Sequence, residues 1–183
     1  KVPGVAHLLH MLNPNIQKRL GLNNNGLEFV ANRLKTISLN PNGNALVIDG
    51  DHLEGDGITD QDRAEFKSFK KKTNSLARFF RSTYQTSPPR IRTDNTKDLL
   101  GLMQTGWNLR TMGNQGMTDM LRFIAINVFD LLEEYLKNDF VKGSLAIDAV
   151  LGNHLGPRTN NSVITYLHSL TGEIDGVQGA YAI

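Results

Sequence analysis

The spacing of hydrophobic positions along the chain changes period several times, and each change predicts an element. Phe66, Phe69, Thr73, Leu76, Phe80 and Tyr84 recur near 3.6 residues and predict an amphipathic helix. Thr59 and Asp62 have capping-box spacing at its start, and Ser87-Pro88-Pro89 stops it. Upstream, residues 7–20 predict a short helix broken near Asn13-Pro14 and ended by Gly21. Leu27, Phe29, Val30, Leu34, Ile37 and Leu39 alternate in part with polar residues, which predicts one or two strands. Asn40-Pro41-Asn42-Gly43-Asn44 is a turn by composition, and residues 45–48 are the returning strand of a hairpin. Residues 49–60 read as a loop rich in Gly and Asp.

Beyond residue 95 the pattern is mostly helical. Helices are predicted over 98–112, 118–126, 127–136, 139–151 and 162–170. Asn127 with Asp130 forms a second capping-box pattern, and Gly156-Pro157-Arg158 is a turn. Residues 177–183 form a Gly-punctuated candidate strand. No repeat or low-complexity linker interrupts the chain, so residues 1–183 are expected to be a single domain. The expected class is α+β. It comprises a small antiparallel or mixed sheet, from a hairpin near 27–48 plus a C-terminal strand, packed with a predominantly helical bundle.

Composition narrows the function. A length of 183 residues supports one sizeable core. Hydrophobic residues at 39% and charged residues at 21% exclude wholesale disorder. A net charge of +2 argues against nucleic acid as a partner, which calls for a strong positive field. The absence of cysteine excludes disulfides, thiolate metal sites and cysteine nucleophiles. A reducing, cytoplasmic setting is the expectation. The opening residues look cut from something longer.

Chemical motifs are sparse. Gly55-Asp56-Gly57 supplies two glycines of a dinucleotide-binding turn, but Asp60 stands where the third is needed. The acidic run around Asp49, Asp51, Glu54 and Asp56 invites a calcium reading, yet Leu53 and Glu54 break the EF-hand frame. His7 and His10 lack the further ligands of a metal site. Metal ligands are therefore not assigned, and no Gly-x-Ser-x-Gly elbow occurs. Asn160-Asn161-Ser162 matches a glycosylation acceptor and reads as incidental. Arg63, Lys67, Lys70, Lys71, Lys72, Arg78, Arg81, Arg90 and Arg92 form a basic cluster, and those in the helix over 60–85 give it a basic face, read first as its solvated side. Trp107, Met103, Met112, Met117 and Met120 read as core packing ahead of an apolar channel.

Several blocks, taken in order, carry a resemblance. Pro3-Gly4, Leu12-Asn13-Pro14, Leu20-Gly21-Leu22 and Gly26-Leu27 open the series. Residues 127–145, the turn Gly156-Pro157-Arg158, Leu167-His168 and the run Gly172, Gly176, Gly179-Ala180-Tyr181 continue it. The series resembles the middle of phytoene-dehydrogenase-like, FAD-dependent flavoprotein oxidoreductases. Tyr181 stands where that family often has Trp.

The resemblance implies a substrate-binding or cap segment of a longer flavoprotein, with the FAD-binding parts outside both ends. It implies an enzyme that moves hydride between flavin and an apolar substrate, while the isolated segment is inactive. The cofactor is then FAD, and the partners are an apolar small molecule and the chain's own FAD-binding domain. No catalytic residue is assigned within the segment. Arg158, His168 and Tyr181 are the candidates to face substrate or flavin. A homodimer and peripheral membrane contact are further expectations. The alternative is a non-catalytic domain that docks a protein or membrane surface through the basic helix 60–85.

Overall fold

The computed structural model describes residues 8–9, 11–84, 90, 95–174, 177–178 and 181–182. The dominant element follows from the clearest periodicity. Helix α2 runs Asp60–Tyr84 and buries Phe66, Phe69, Thr73 and Leu76 on one face. Its capping box forms as spaced. The Thr59 amide donates to the Asp62 carboxylate at 2.9 Å, and the Asp62 amide donates to the Thr59 hydroxyl at 3.1 Å. The Pro pair that ends the helix pattern lies outside the described residues.

Six further helices are described. Helix α1 is Pro14–Leu20, α3 Thr96–Thr111, α4 Gly113–Ala125, α5 Val128–Tyr135, α6 Asp139–Val150 and α7 Ser162–Ser169. A 3₁₀ turn, Leu22–Asn25, follows α1. Asn13 caps α1 through its side chain, and Gly21, at φ 56°, closes it in the left-handed conformation. Helix α4 starts five residues earlier than its apolar pattern, because Gly113 at φ 72° turns the chain straight out of α3.

The fold is α+β. Strands β2 (Thr36–Leu39), β3 (Ala45–Asp49) and β4 (His52–Gly55) form an antiparallel sheet in chain order. Two expectations are corrected here. Residues 27–35 do not belong to the hairpin, and the middle of the expected 49–60 loop is strand β4. Gly50, at φ 63°, supplies the positive dihedral of a two-residue turn, and Asp49 pairs directly with His52. The C-terminal segment joins no part of this sheet. It forms short strands β5 (Glu173–Ile174), β6 (Val177–Gln178) and β7 (Tyr181–Ala182). Strands β5 and β6 pair with each other, and β7 pairs with β1 (Leu8–Leu9), which sets Tyr181 opposite Leu9.

One core joins these pieces. Leu46, Ile48 and Leu53 point from the inner face of the sheet toward Phe66 and Phe69 of α2. Val128, Leu131, Leu132, Val141, Leu145, Val163 and Tyr166 extend the same cluster through α5, α6 and α7. Phe69 stacks on Tyr166 with centroids 5.8 Å apart and meets Tyr135 at 5.7 Å.

Candidate functional site

Where α2, α6 and α7 meet, several polar groups enter the core. Lys70 lies one turn after Phe66 on the buried face of α2 and is 9% exposed. Burial holds its pKa below the ordinary lysine range, partly opposed by the carboxylates of Asp148 on α6 and Asp51. Tyr166 of α7 is fully buried, and its hydroxyl has no hydrogen-bond partner. Burial, with the Asp148 charge, pushes its pKa far up. Thr73 lies close enough to Tyr166 to lower that pKa slightly, but its hydroxyl donates toward the carbonyls of Phe69 and Lys70 at 3.1 and 3.2 Å. Lys70 and Tyr166 are both packed inside, so this cluster is a polar pin between helices.

A second polar group lies beside it. Lys72 donates to the Tyr135 hydroxyl at 2.7 Å and pairs with Asp119 at 2.9 Å. Its ammonium also sits over the rings of Tyr135 and Phe123. Burial alone would lower its pKa, but the hydrogen bonds it donates to Tyr135 and Asp119 outweigh that and hold the value above normal.

These placements correct the expected basic face. Of the three consecutive lysines, Lys70 points into the core, Lys72 reaches sideways to α4 and α5, and Lys71 alone faces solvent. Arg63 pairs with Asp60, and Arg81 pairs with Glu173 while donating to the Thr171 carbonyl at 2.8 Å. A tertiary fold has turned much of the charge into internal ties.

The predicted substrate-facing residues do not converge. Arg158 precedes α7 and lays its guanidinium 3.6 Å from the centre of the Phe129 ring. That corner is also held by backbone. The Phe129 amide donates to the Pro157 carbonyl at 3.0 Å, and the Val128 amide donates to the Ser162 hydroxyl at 2.9 Å. His168 lies at the opposite end of α7. It is exposed and meets the Tyr84 ring edge-on at 5.4 Å, so it is not a core residue. Tyr181 is placed by its backbone in β7, paired with Leu9 of β1. Arg158 and His168 therefore stand a whole helix apart.

The other motifs resolve into structure. A strand does lead into Gly55-Asp56-Gly57, contrary to the expected loop, and α2 follows. However, the amide of Thr59 is taken by Asp62, and Asp56, Asp60 and Asp62 crowd that helix end with negative charge, which opposes a phosphate. In the acidic run, Asp49 is paired with Arg33 and Lys35 at 3.2 and 3.3 Å. Among the described residues, no group of three or more metal-ligating side chains converges. His7 and His10 lie outside them. A shallow, open depression of about 350 Å³ lies between α1 and the 3₁₀ turn, lined by Pro14, Gln17, Lys18, Leu22 and Asn24. It holds no acid–base pair.

Part of this chain is similar to a curated oxidoreductase-domain protein. The relative is pyridine nucleotide-disulfide oxidoreductase domain-containing protein 2 of Rattus norvegicus, 30% identical over 73 residues. The match takes in 40% of this chain and 12% of that protein. No protein-family profile matches the chain, and no solved structure matches it.

The likeness is coarser than the resemblance to phytoene-dehydrogenase-like proteins. It concerns an oxidoreductase domain, and it names no substrate. Two features of the chain escaped the sequence reading. Lys70 was grouped with the outer basic residues, although its position relative to Phe66, Thr73 and Ala77 is the signal that would have turned it inward. The exposure of Trp107, Met103 and Met117 corrects the core reading for those residues, while Met120 is buried as expected.

Proposed function

We propose that this chain is the substrate-facing part of an FAD-dependent oxidoreductase of the phytoene-dehydrogenase-like kind. The observation that carries the reading is the local likeness to an oxidoreductase-domain protein, taken together with the ordered series of family-like blocks in the sequence. The α+β architecture is compatible with a role as wall and scaffold. FAD would supply the redox chemistry of the whole protein, moving hydride to or from an apolar substrate. The residues present do not fit the holding of FAD by this chain alone, since the Asp62 carboxylate takes the Thr59 amide at the start of α2 and Asp56 and Asp60 add negative charge beside it. On this reading the chain orients substrate and excludes water beside a separate FAD-binding domain. Arg158, His168 and Tyr181 are proposed to border that junction at different points. A cytoplasmic setting with peripheral membrane contact belongs to the same proposal. Among the described residues, no helix is long and apolar enough to cross a membrane.

The alternative of docking through the basic face of α2 is left with Lys67, Lys71 and Arg78 as outward cations of that helix, a weaker field than the sequence promised. The test is an absorbance spectrum of the protein made from its complete reading frame. Visible flavin bands that bleach with an apolar substrate are the expected result. A colourless protein that ignores added FAD would sink the proposal.

A further inference from the structure

Helix α3 is apolar on two opposite sides. Leu109 and the following Met112 turn toward the core. Leu99, Leu100, Met103 and Trp107 recur at three- and four-residue intervals on the other side, and all four are exposed, Trp107 at 68%. On the following helix, α4, Met117 and Leu121 are exposed as well. Between Asp98 and Arg110, α3 carries no charged residue. An uncharged apolar stripe on a helix is normally covered by another surface. Yet none of the residues of α3 is buried, and the helix packs mainly on α4.

We propose that a second copy of this chain covers the face. The α3–α4 hairpins of two protomers would pack about a two-fold axis as a four-helix bundle. Three observations favour a second copy. The six exposed side chains offer on the order of 700 Å², close to the ~800 Å² that each partner contributes to a standard interface. The uncharged stripe lets two α3 helices meet without desolvating an ion, and it presents no charge pattern to select a different protein. Antiparallel apposition about Met103 brings Trp107 of one copy against Leu99 and Leu100 of the other. Gly106, with no atom near its missing Cβ, leaves room for the indole. A helix lying on a lipid surface would need a basic polar side, whereas the other side of α3 faces this protein's own core.

Trp107 is the sole tryptophan, so its emission reports on this face directly. Sedimentation velocity and fluorescence would be recorded on the same samples of the 183-residue chain, from micromolar to near-millimolar concentration. The expected result is a dimer whose emission shifts blue as concentration rises. Met103→Glu should stay monomeric with solvent-like emission and unchanged helical circular dichroism, its dissociation constant raised about 30-fold or more. Leu121→Glu carries the same expectation from α4 if Met103→Glu misfolds, and Lys71→Glu should dimerise like the wild type. A wild-type chain that remains monomeric with solvent-like emission throughout overturns the proposal. So does a dimer that survives both interface variants. So, too, does a blue shift seen only when a monomer meets vesicles of phosphatidylcholine and phosphatidylglycerol.

Discussion

Lys70 shows how one side chain couples position to pH. The helical period that buries Phe66 and Thr73 carries Lys70 inward as well, and burial depresses its pKa despite Asp148 and Asp51. On unfolding, the same group returns toward about 10.4. Between the two values the unfolded chain holds the proton and the native chain does not. Stability therefore rises with pH across that window. Below the native value both states are charged, and the full cost of the buried ammonium stands. Lys70→Met should remove this slope. Urea denaturation near neutral pH and again at about pH 9.5 checks it: the wild type should gain stability relative to the variant at the higher pH. Parallel behaviour of the two proteins would mean that Lys70 keeps its proton in the fold.

At the scale of elements, the chain relies on ties between helix ends. The amide of Val128, an orphan donor in the first turn of α5, is met by the hydroxyl of Ser162 at the start of α7. Asn127 caps the same turn through the Asp130 amide at 2.8 Å, as its spacing predicts. Ser162 is fully buried, so water cannot take its place. Ser162→Ala should therefore cost about 1–3 kcal/mol, the penalty of a buried unsatisfied donor, read as a lower urea midpoint with unchanged m-value. A neutral effect would show that Val128 finds another acceptor. The sequon reading of Asn160-Asn161-Ser162 meets the same fact, since its serine is a structural clamp.

At the scale of the molecule, protection should follow depth. Helix α2 touches the sheet, α5 and α7, whereas α3 contributes no buried residue and is held mainly through α4. Hydrogen exchange at concentrations too dilute for association should find amides in the middle of α2 opening only with global unfolding. Those of α3 should exchange by local opening, at least about 10-fold faster, because local stability tracks buried apolar contact. Equal protection in the two helices would show that α3 is secured by more than its packing on α4.

The sequence was legible wherever a signal is local. The α2 period, the capping boxes at Thr59 and Asn127, the Asn13-Pro14 start and the Asn40–Asn44 turn all appear in place, because each rests on residues a few positions apart. The α+β class follows from the same local periods. The limits of the hairpin were less legible. A two-residue turn at Gly50 and Asp51 hides inside an acidic stretch that composition marks as loop. Arg158 and His168 are both on or beside α7 in sequence, yet only the fold shows that they occupy opposite ends of it. By itself, then, the sequence determined the helices beyond residue 59 and the Asn40–Asn44 turn with its two strands, since those depend on short-range sterics and hydrogen bonding. Only the tertiary structure decided which way Lys70, Lys72 and Trp107 face. Those directions depend on which neighbour is present to supply an opposite charge, an acceptor or an apolar cover.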